Sequence, residues 1–143
     1  MPIDSPVDPV RAFFVYGTLM RGESNHAVAA RHGLADVRTG SVRGDLFDTG
    51  AGYPAMRPKT GPGRVYGELL IPIDFESALQ AMDALEGYEG EDDPDNLYDR
   101  RLIEVTLDDD GSTCLAWIYV YAQDLAPQAQ IVSGRWRPTR GGG

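Results

Sequence analysis

The chain has 143 residues, of which 42% are hydrophobic, so it can build one domain with a sizeable core but not two ordinary domains. Its 13 lysines and arginines stand against 22 aspartates and glutamates, and the net charge of −9 argues against a general nucleic-acid or anionic-membrane surface. The single cysteine, Cys114, excludes an intrachain disulfide, and the two histidines have no zinc-site spacing, so we expect no structural metal.

The N-terminal residues 1–10 contain three prolines and predict an extended or frayed lead-in. We expect one domain over residues 11–127, with residues 1–10 and 128–143 as peripheral or mobile tails. No basic and apolar leader is present, and no stretch approaches 18 consecutive apolar residues. These features predict a cytoplasmic protein that does not enter a membrane.

The first strong element is a strand over residues 13–16, where aromatic and β-branched residues follow one another. Gly17 ends it with a residue that can adopt a positive φ or let a ligand approach closely. The backbone N–H groups of Gly17, Thr18 and Leu19 then follow without an obvious partner, and such groups bind anions or carbonyl oxygens. On spacing alone, a turn that merely ends a strand remains open as the alternative.

Short elements alternate with turns through the next part of the chain. Ser24 is the predicted N-cap of a short helix over residues 25–31. Glycines and alternating apolar residues predict a bent or bulged strand over residues 39–48. A short edge segment at residues 53–56 and a strand at residues 64–71 follow.

An amphipathic helix is predicted over residues 75–85, because apolar residues recur with helical spacing at positions 75, 78, 79, 82 and 85. Asp74 is the expected N-cap, and Gly87 supplies the glycine that ends the helix. The run at residues 89–96, with five acidic residues in eight, predicts a solvated loop. It lacks the spacing of an EF-hand, so we expect no calcium site.

Two strands are predicted near the end of the domain, over residues 98–107 and 113–121. The Asp-Gly pair between them is typical of a hairpin. Both faces of the second strand carry apolar residues, which suits a barrel wall flanked by a helix. Cys114 is interpreted as a small core residue on that wall, because no histidine or reactive-cysteine motif surrounds it.

Glu86 is the most informative single residue. At ~100° per residue it lies ~20° from Phe75 in angle, inside the apolar stripe of the predicted helix. A carboxylate there should face inward, where burial and the negative end of the helix dipole both raise its pKa. The alternative is that the helix ends one residue early and that Glu86 turns into water.

Two motifs carry a family resemblance. Tyr-Gly-Thr-Leu at residues 16–19 follows an apolar strand and precedes Asn-His, and Asp-Ala-Leu-Glu-Gly-Tyr spans residues 83–88. In this order they resemble the gamma-glutamylcyclotransferase-like family, closest to its gamma-glutamylamine cyclotransferase branch. Weaker similar pieces lie at residues 53–55, 65–68, 98–101 and 116–121.

The resemblance implies an α+β fold, a small mixed β-barrel with flanking short helices. It also implies an enzyme that needs no cofactor and converts a γ-glutamyl amine or amide into 5-oxoproline and a free amine. The substrate's own α-amino group attacks its γ-carbonyl, so the enzyme supplies positioning and proton transfer. The implied catalytic proton shuttle is Glu86. The implied substrate-binding residues are Tyr16, Gly17, Thr18, Leu19 and Tyr121.

Two other functions compete with this interpretation. A non-catalytic module that binds a carboxylate or another anion would keep the turn, but an inward Glu86 would repel its ligand. A serine or cysteine hydrolase has less support, because there is no G-x-S-x-G elbow. Tyr88, Tyr98 and Arg100 are further pocket candidates, although such residues more often pack or line rims. The expected partner is a small-molecule γ-glutamyl substrate, not a nucleic acid or a membrane.

Overall fold

The described residues form seven strands and two short helices. The computed structural model describes residues 10–125 and 129–136, so the predicted lead-in at residues 1–9 lies outside the described residues. In chain order the elements are β1 (Phe13–Val15), α1 (His26–Ala30), β2 (Leu34–Asp48), β3 (Pro54–Pro58), β4 (Arg64–Pro72), α2 (Phe75–Glu86), β5 (Tyr98–Leu107), β6 (Thr113–Tyr121) and β7 (Gln130–Ile131).

Five of the strands close into a barrel in the order β2, β4, β1, β6, β5 and back to β2. The β1–β6 pair is parallel, and the other four pairs in the ring are antiparallel, so the barrel is mixed. β3 and β7 pair with the far end of β2, outside the ring. Because two helices flank this barrel, the predicted α+β fold class is confirmed.

The seam that closes the barrel joins β2 to β5 over two residue pairs, Gly40 with Leu107 and Ser41 with Thr106. A Cβ atom on Gly40 would lie 2.7 Å from the carbonyl oxygen of Thr106. Glycine at position 40 therefore allows the two strands to approach closely enough to pair.

The apolar residues form two cores, one on each side of the barrel wall. Successive residues of a strand point to opposite faces, so Phe14 enters the barrel interior while Phe13 faces the helices. The ring of Phe13 stacks on that of Phe75 from α2, with centroids 5.0 Å apart. This packing fixes α2 across the outer face of β1.

Both ends of α2 carry the predicted caps. The carboxylate of Asp74 accepts a hydrogen bond from the backbone N–H of Ser77 at 3.2 Å. Gly87 ends the helix in the left-handed conformation, with φ of 67°. The helix therefore continues through Glu86, which is its last residue.

The structure also differs from the sequence-based expectations. The second strand begins at Leu34, five residues before the predicted start, because its first part is held by pairing with β4. The predicted Ser24 cap is wrong: Asn25 occupies the N-cap of α1, and no side-chain cap hydrogen bond is present there. β7 is a strand that the sequence pattern does not predict, and Trp136 beyond it packs against the barrel interior.

In the described part of the chain, no helix is both long and apolar enough to span a membrane.

Candidate active site

A cavity of about 350 Å³ opens where β1 ends. Its wall contains residues 16–19, Glu86 from the end of α2, Tyr98 from β5 and Tyr119 from β6. The structure therefore brings together the predicted carboxylate and the predicted turn, which are almost 70 positions apart in the sequence. Further lining residues are Phe14, Val15, Ser24, Asn25, Ala51, Gly52, Tyr53, Pro54, Leu85 and Leu97.

The turn at residues 16–19 is held by its carbonyl groups. The carbonyl of Thr18 accepts from the backbone N–H of Asn25 at 2.8 Å, and the carbonyl of Leu19 accepts from Nδ1 of His26 at 2.9 Å. The side-chain amide of Asn25 also donates to Oγ1 of Thr18 at 3.0 Å. The Asn-His pair of the first motif thus holds the turn in place, a role that the local sequence pattern does not indicate.

The N–H side of the same turn is free. Within the described residues, the backbone N–H groups of Gly17, Thr18 and Leu19 have no hydrogen-bond acceptor. Because the carbonyl groups fix the turn from behind, these donors are held in place before a ligand arrives. Such an array can bind a carboxylate or a developing oxyanion.

Glycine is required at position 17 by close packing and not by an unusual backbone conformation. Its φ is not positive. A Cβ atom at this position would lie 2.5 Å from Cγ of Pro54, which packs directly on the turn. The group that approaches Gly17 closely is therefore Pro54, which lies 37 positions away in the chain.

A second brace comes from β4. The buried carboxylate of Glu68 accepts from the backbone N–H of Arg21 at 2.9 Å and from its Nε at 3.0 Å. This paired contact anchors the chain directly after the turn to the barrel. Glu68 lies in one of the weaker pieces of the resemblance, and its local pattern alone does not predict the contact.

Glu86 faces the cavity, as the helical period predicts, and not the bulk solvent. Burial raises the pKa of its carboxyl from the ordinary value of 4.5 to about 7. The carboxylate makes no hydrogen bond to any described residue, although the residue keeps partial exposure through the cavity. A group with this pKa can both accept and return a proton near neutral pH.

The charge of this carboxylate acts on three tyrosine hydroxyls, and each of them donates its proton to the protein. Tyr16 donates to the carbonyl of Tyr119 at 2.6 Å, and Tyr98 donates to the carbonyl of Pro54 at 2.6 Å. Tyr119 itself donates to Oδ1 of Asp83 at 2.5 Å. Burial raises the pKa of all three hydroxyls, and the nearby Glu86 charge raises it further, so they remain protonated.

The remaining candidates, Tyr88, Arg100 and Tyr121, do not line the cavity. Tyr121 is not among its lining residues and packs edge-to-face on Tyr98, with centroids 5.3 Å apart, so its role in substrate binding stays a prediction. Arg100 forms an ion pair with Asp83, and its guanidinium lies over the rings of Tyr88 and Trp117. Among the described residues, no group of three or more His, Cys, Asp or Glu side chains is placed to hold a metal ion.

Comparison with known proteins agrees with this geometry. A family model described as Gamma-glutamyl cyclotransferase, AIG2-like matches residues 13–138. The chain is similar to the gamma-L-glutamyl-butirosin B gamma-glutamyl cyclotransferase of Niallia circulans, with 41% identity over 111 residues that cover 78% of this chain and 67% of that protein.

Two solved structures share the fold. An AIG2-like protein from Mus musculus matches with a TM-score of 0.61 and 27% identity, covering 83% of this chain and 81% of that chain. YkqA from Bacillus subtilis matches with a TM-score of 0.63 and 24% identity, covering 88% of this chain and 39% of that chain. The family predicted from the two motifs is confirmed: the chain belongs to the gamma-glutamyl cyclotransferase, AIG2-like family and is an enzyme of that family.

Proposed function

We propose that this enzyme converts a γ-glutamyl amine into 5-oxoproline and the free amine, with Glu86 carrying the proton between the two nitrogen atoms. One observation supports the proposal most directly. A carboxyl with a pKa of about 7 and no hydrogen-bond partner among the described residues shares one cavity with a turn of free N–H donors.

The reaction needs no group other than those in the cavity. The α-ammonium of the substrate gives a proton to the Glu86 carboxylate, and the freed amine attacks the γ-carbonyl carbon to form the ring C–N bond. The protonated Glu86 then returns the proton to the leaving nitrogen, and the original C–N bond breaks. The second proton of the ring nitrogen passes through the Glu86 carboxylate to the departing amine, which leaves as an ammonium, so that 5-oxoproline and the starting carboxylate remain. Atoms and charge balance without water, and one carboxyl serves as base and then as acid.

The turn supplies the fixed donors that this chemistry needs. The N–H groups of Gly17, Thr18 and Leu19 would hold the substrate α-carboxylate or the oxyanion that forms at the γ-carbon. Their positions are set by contacts with Asn25 and His26, so little reorganisation is needed on binding. A binding module without chemistry is less well supported, because Glu86 would repel an anionic ligand and gain nothing in return.

The composition of the cavity wall favours a leaving amine without a carboxylate. The described residues that line the cavity include no lysine or arginine. A dipeptide leaving group would bring its own carboxylate to this wall, where no cation would meet it. The named activity of the Niallia circulans relative, on a γ-glutamyl derivative of butirosin B, is consistent with this preference.

The direct test is incubation with a panel of γ-glutamyl amines and γ-glutamyl dipeptides, with 5-oxoproline as the measured product. We expect the amines to be turned over faster than the dipeptides. Replacement Glu86→Gln should keep the fold but lower kcat by on the order of 10²–10⁴, because Gln cannot accept the proton. The wild-type kcat/KM should fall on the acid side with an apparent pKa near 7.

A matched control lies on the same helix. Glu76 is exposed in the first turn of α2, outside the cavity, so Glu76→Gln should leave kcat unchanged. If Glu86→Gln retained kcat within tenfold of wild type, Glu86 would not be the base. If no γ-glutamyl compound in the panel released 5-oxoproline, the proposed reaction itself would be wrong.

A further inference from the structure

Two tyrosine hydroxyls of the cavity wall, those of Tyr98 and Tyr119, can act toward a ligand only as acceptors. A tyrosine hydroxyl has one proton to donate and lone pairs that accept. Tyr98 directs its proton at the carbonyl of Pro54, and Tyr119 directs its proton at the carboxylate of Asp83. Any hydrogen bond that these two oxygen atoms make to a ligand therefore uses a lone pair. The hydroxyl of Tyr53 makes no hydrogen bond to a described residue and is not constrained in this way.

Tyr98 and Tyr119 form one surface with Glu86. Tyr98 pairs with Tyr121 and Tyr119 pairs with Arg100 across the β5–β6 ladder, so the two cavity tyrosines are diagonal neighbours on the same face of the sheet. Both line the cavity together with Glu86, and the charge of Glu86 acts on both hydroxyls. The surface therefore consists of one carboxylate and two oxygen acceptors.

The part of the cavity wall formed by residues 17–19 presents hydrogen-bond donors instead of acceptors. Oγ1 of Thr18 accepts from the side-chain amide of Asn25, which leaves its own proton free to donate. The backbone N–H groups of residues 17–19 add further donors, as described above. The cavity is thus divided into a wall that donates hydrogen bonds and a wall that accepts them.

A zwitterion satisfies both walls, with a carboxylate toward the turn and an ammonium toward the tyrosines and Glu86. We propose that the oxygen atoms of Tyr98 and Tyr119, together with Glu86, form the binding site for the α-ammonium of the γ-glutamyl group. Asp83 is then a positioning residue, because it receives the Tyr119 proton and so keeps the lone pair of that hydroxyl turned to the ligand.

This assignment gives a role to the two cavity hydroxyls, those of Tyr98 and Tyr119, that cannot donate a hydrogen bond to a ligand. A donor near Glu86 would hydrogen-bond the carboxylate, stabilise its charged form and lower its pKa. With the protons of Tyr98 and Tyr119 engaged elsewhere, neither hydroxyl donates to Glu86, whose pKa stays raised. The same arrangement discriminates against ligands that lack the amino group.

The inference rests on the proposed function for the identity of the ligand, and it is tested by binding alone. L-glutamine and glutaramate differ only in the α-ammonium, so calorimetry with both isolates its contribution. We expect the wild-type protein to bind L-glutamine at least ~10-fold more tightly, as charge-assisted hydrogen bonds predict. Tyr98→Phe and Tyr119→Phe should each reduce that ratio by roughly fivefold or more, with little change in the Kd of glutaramate.

The control variant is Tyr66→Phe, a tyrosine of β4 outside the cavity, which should leave the ratio unchanged. Circular dichroism checks folding, and if Tyr119→Phe is unfolded, Tyr98→Phe decides the test. An unchanged ratio in the folded variants, or a wild-type protein that binds both compounds equally or neither, would overturn the inference. Release of 5-oxoproline by the wild type is measured separately: a correct binding pattern without product supports the ammonium site and contradicts the proposed reaction.

Discussion

Glu86 makes the stability of the protein depend on pH, whatever substrate it acts on. Its pKa is raised in the folded state from 4.5 to about 7, so the folded state binds its proton more tightly than the unfolded state. The associated stability is fully present below about pH 4.5 and is lost as pH rises through about 7. Above that pH the buried charge costs up to about 3 kcal/mol.

We therefore expect Glu86→Gln to melt at a temperature close to that of the wild type at about pH 5 and at a higher temperature at about pH 8. Gln resembles the protonated carboxyl and carries no charge to bury. Scanning calorimetry of both proteins across this range measures the difference. A melting-temperature difference that did not grow with pH would contradict the burial of this carboxyl.

At the scale of single residues, the sequence predicts the direction of a side chain better than it predicts the residues which that side chain contacts. The inward direction of Glu86 follows from helical period, because period is a local property of the chain. The hydrogen bonds of Tyr98 and Tyr119 do not follow from it, since their acceptors lie 44 and 36 positions away. The clash that requires glycine at position 17 has the same origin, because Pro54 reaches the turn only in the folded barrel.

At the scale of elements, the predicted bounds agree best where the signals are local. β5 and β6 occupy the predicted residues, because an Asp-Gly turn and apolar alternation define a hairpin by themselves. The first five residues of β2 have no such pattern and are held by β4. β7 has two residues and exists through its pairing with β2, so no local signal precedes it.

The glycine that ends α2 also lies against a residue of the cavity wall, so a substitution there can change both stability and activity. Comparison of Gly87 with Gly111 separates these two effects. Gly87 and Gly111 both have positive φ, 67° and 71°, so alanine at either position should cost about 1–2 kcal/mol of stability. A Cβ at position 87 would also lie 3.2 Å from Cβ of Leu97, which lines the cavity, whereas a Cβ at position 111 meets nothing within 4 Å.

We expect Gly87→Ala to lower kcat/KM roughly tenfold or more, because Glu86 and Leu97 must both shift. Gly111→Ala should lose comparable stability and keep wild-type kinetics. Denaturant titration and steady-state assays of both variants measure these quantities. Equal kinetics in the two variants would show that the cavity tolerates movement at the helix end.

At the scale of the whole molecule, the segment after the barrel strands contributes to the core. Trp136 packs against the barrel interior, and the carbonyl of Gly134 accepts from the backbone N–H of Tyr66 at 2.9 Å. Trp136→Ala should therefore destabilise the protein by about 1–3 kcal/mol, less than a fully buried tryptophan would cost. Its kcat should not change, because Trp136 lies outside the cavity.

Val132 supplies the control for this prediction, because its side chain is 91% exposed in the same segment. Val132→Ala should change the free energy of unfolding by less than about 0.5 kcal/mol. Urea denaturation of the three proteins gives the comparison. If both variants were equally stable, residues 129–136 would not be part of the cooperative unit.

The hydrogen bond from Tyr16 to the carbonyl of Tyr119 spans 103 positions of the chain. The two residues are therefore synthesised at different times. A ribosome adding ~5–20 residues per second needs roughly 5–20 s to travel from the first of these residues to the second. During that time residues 16–19 have been synthesised, but neither β6 nor the closed barrel exists. The cavity wall therefore cannot be completed before β6 has been synthesised, and until then the hydroxyl of Tyr16 lacks the carbonyl that accepts its proton.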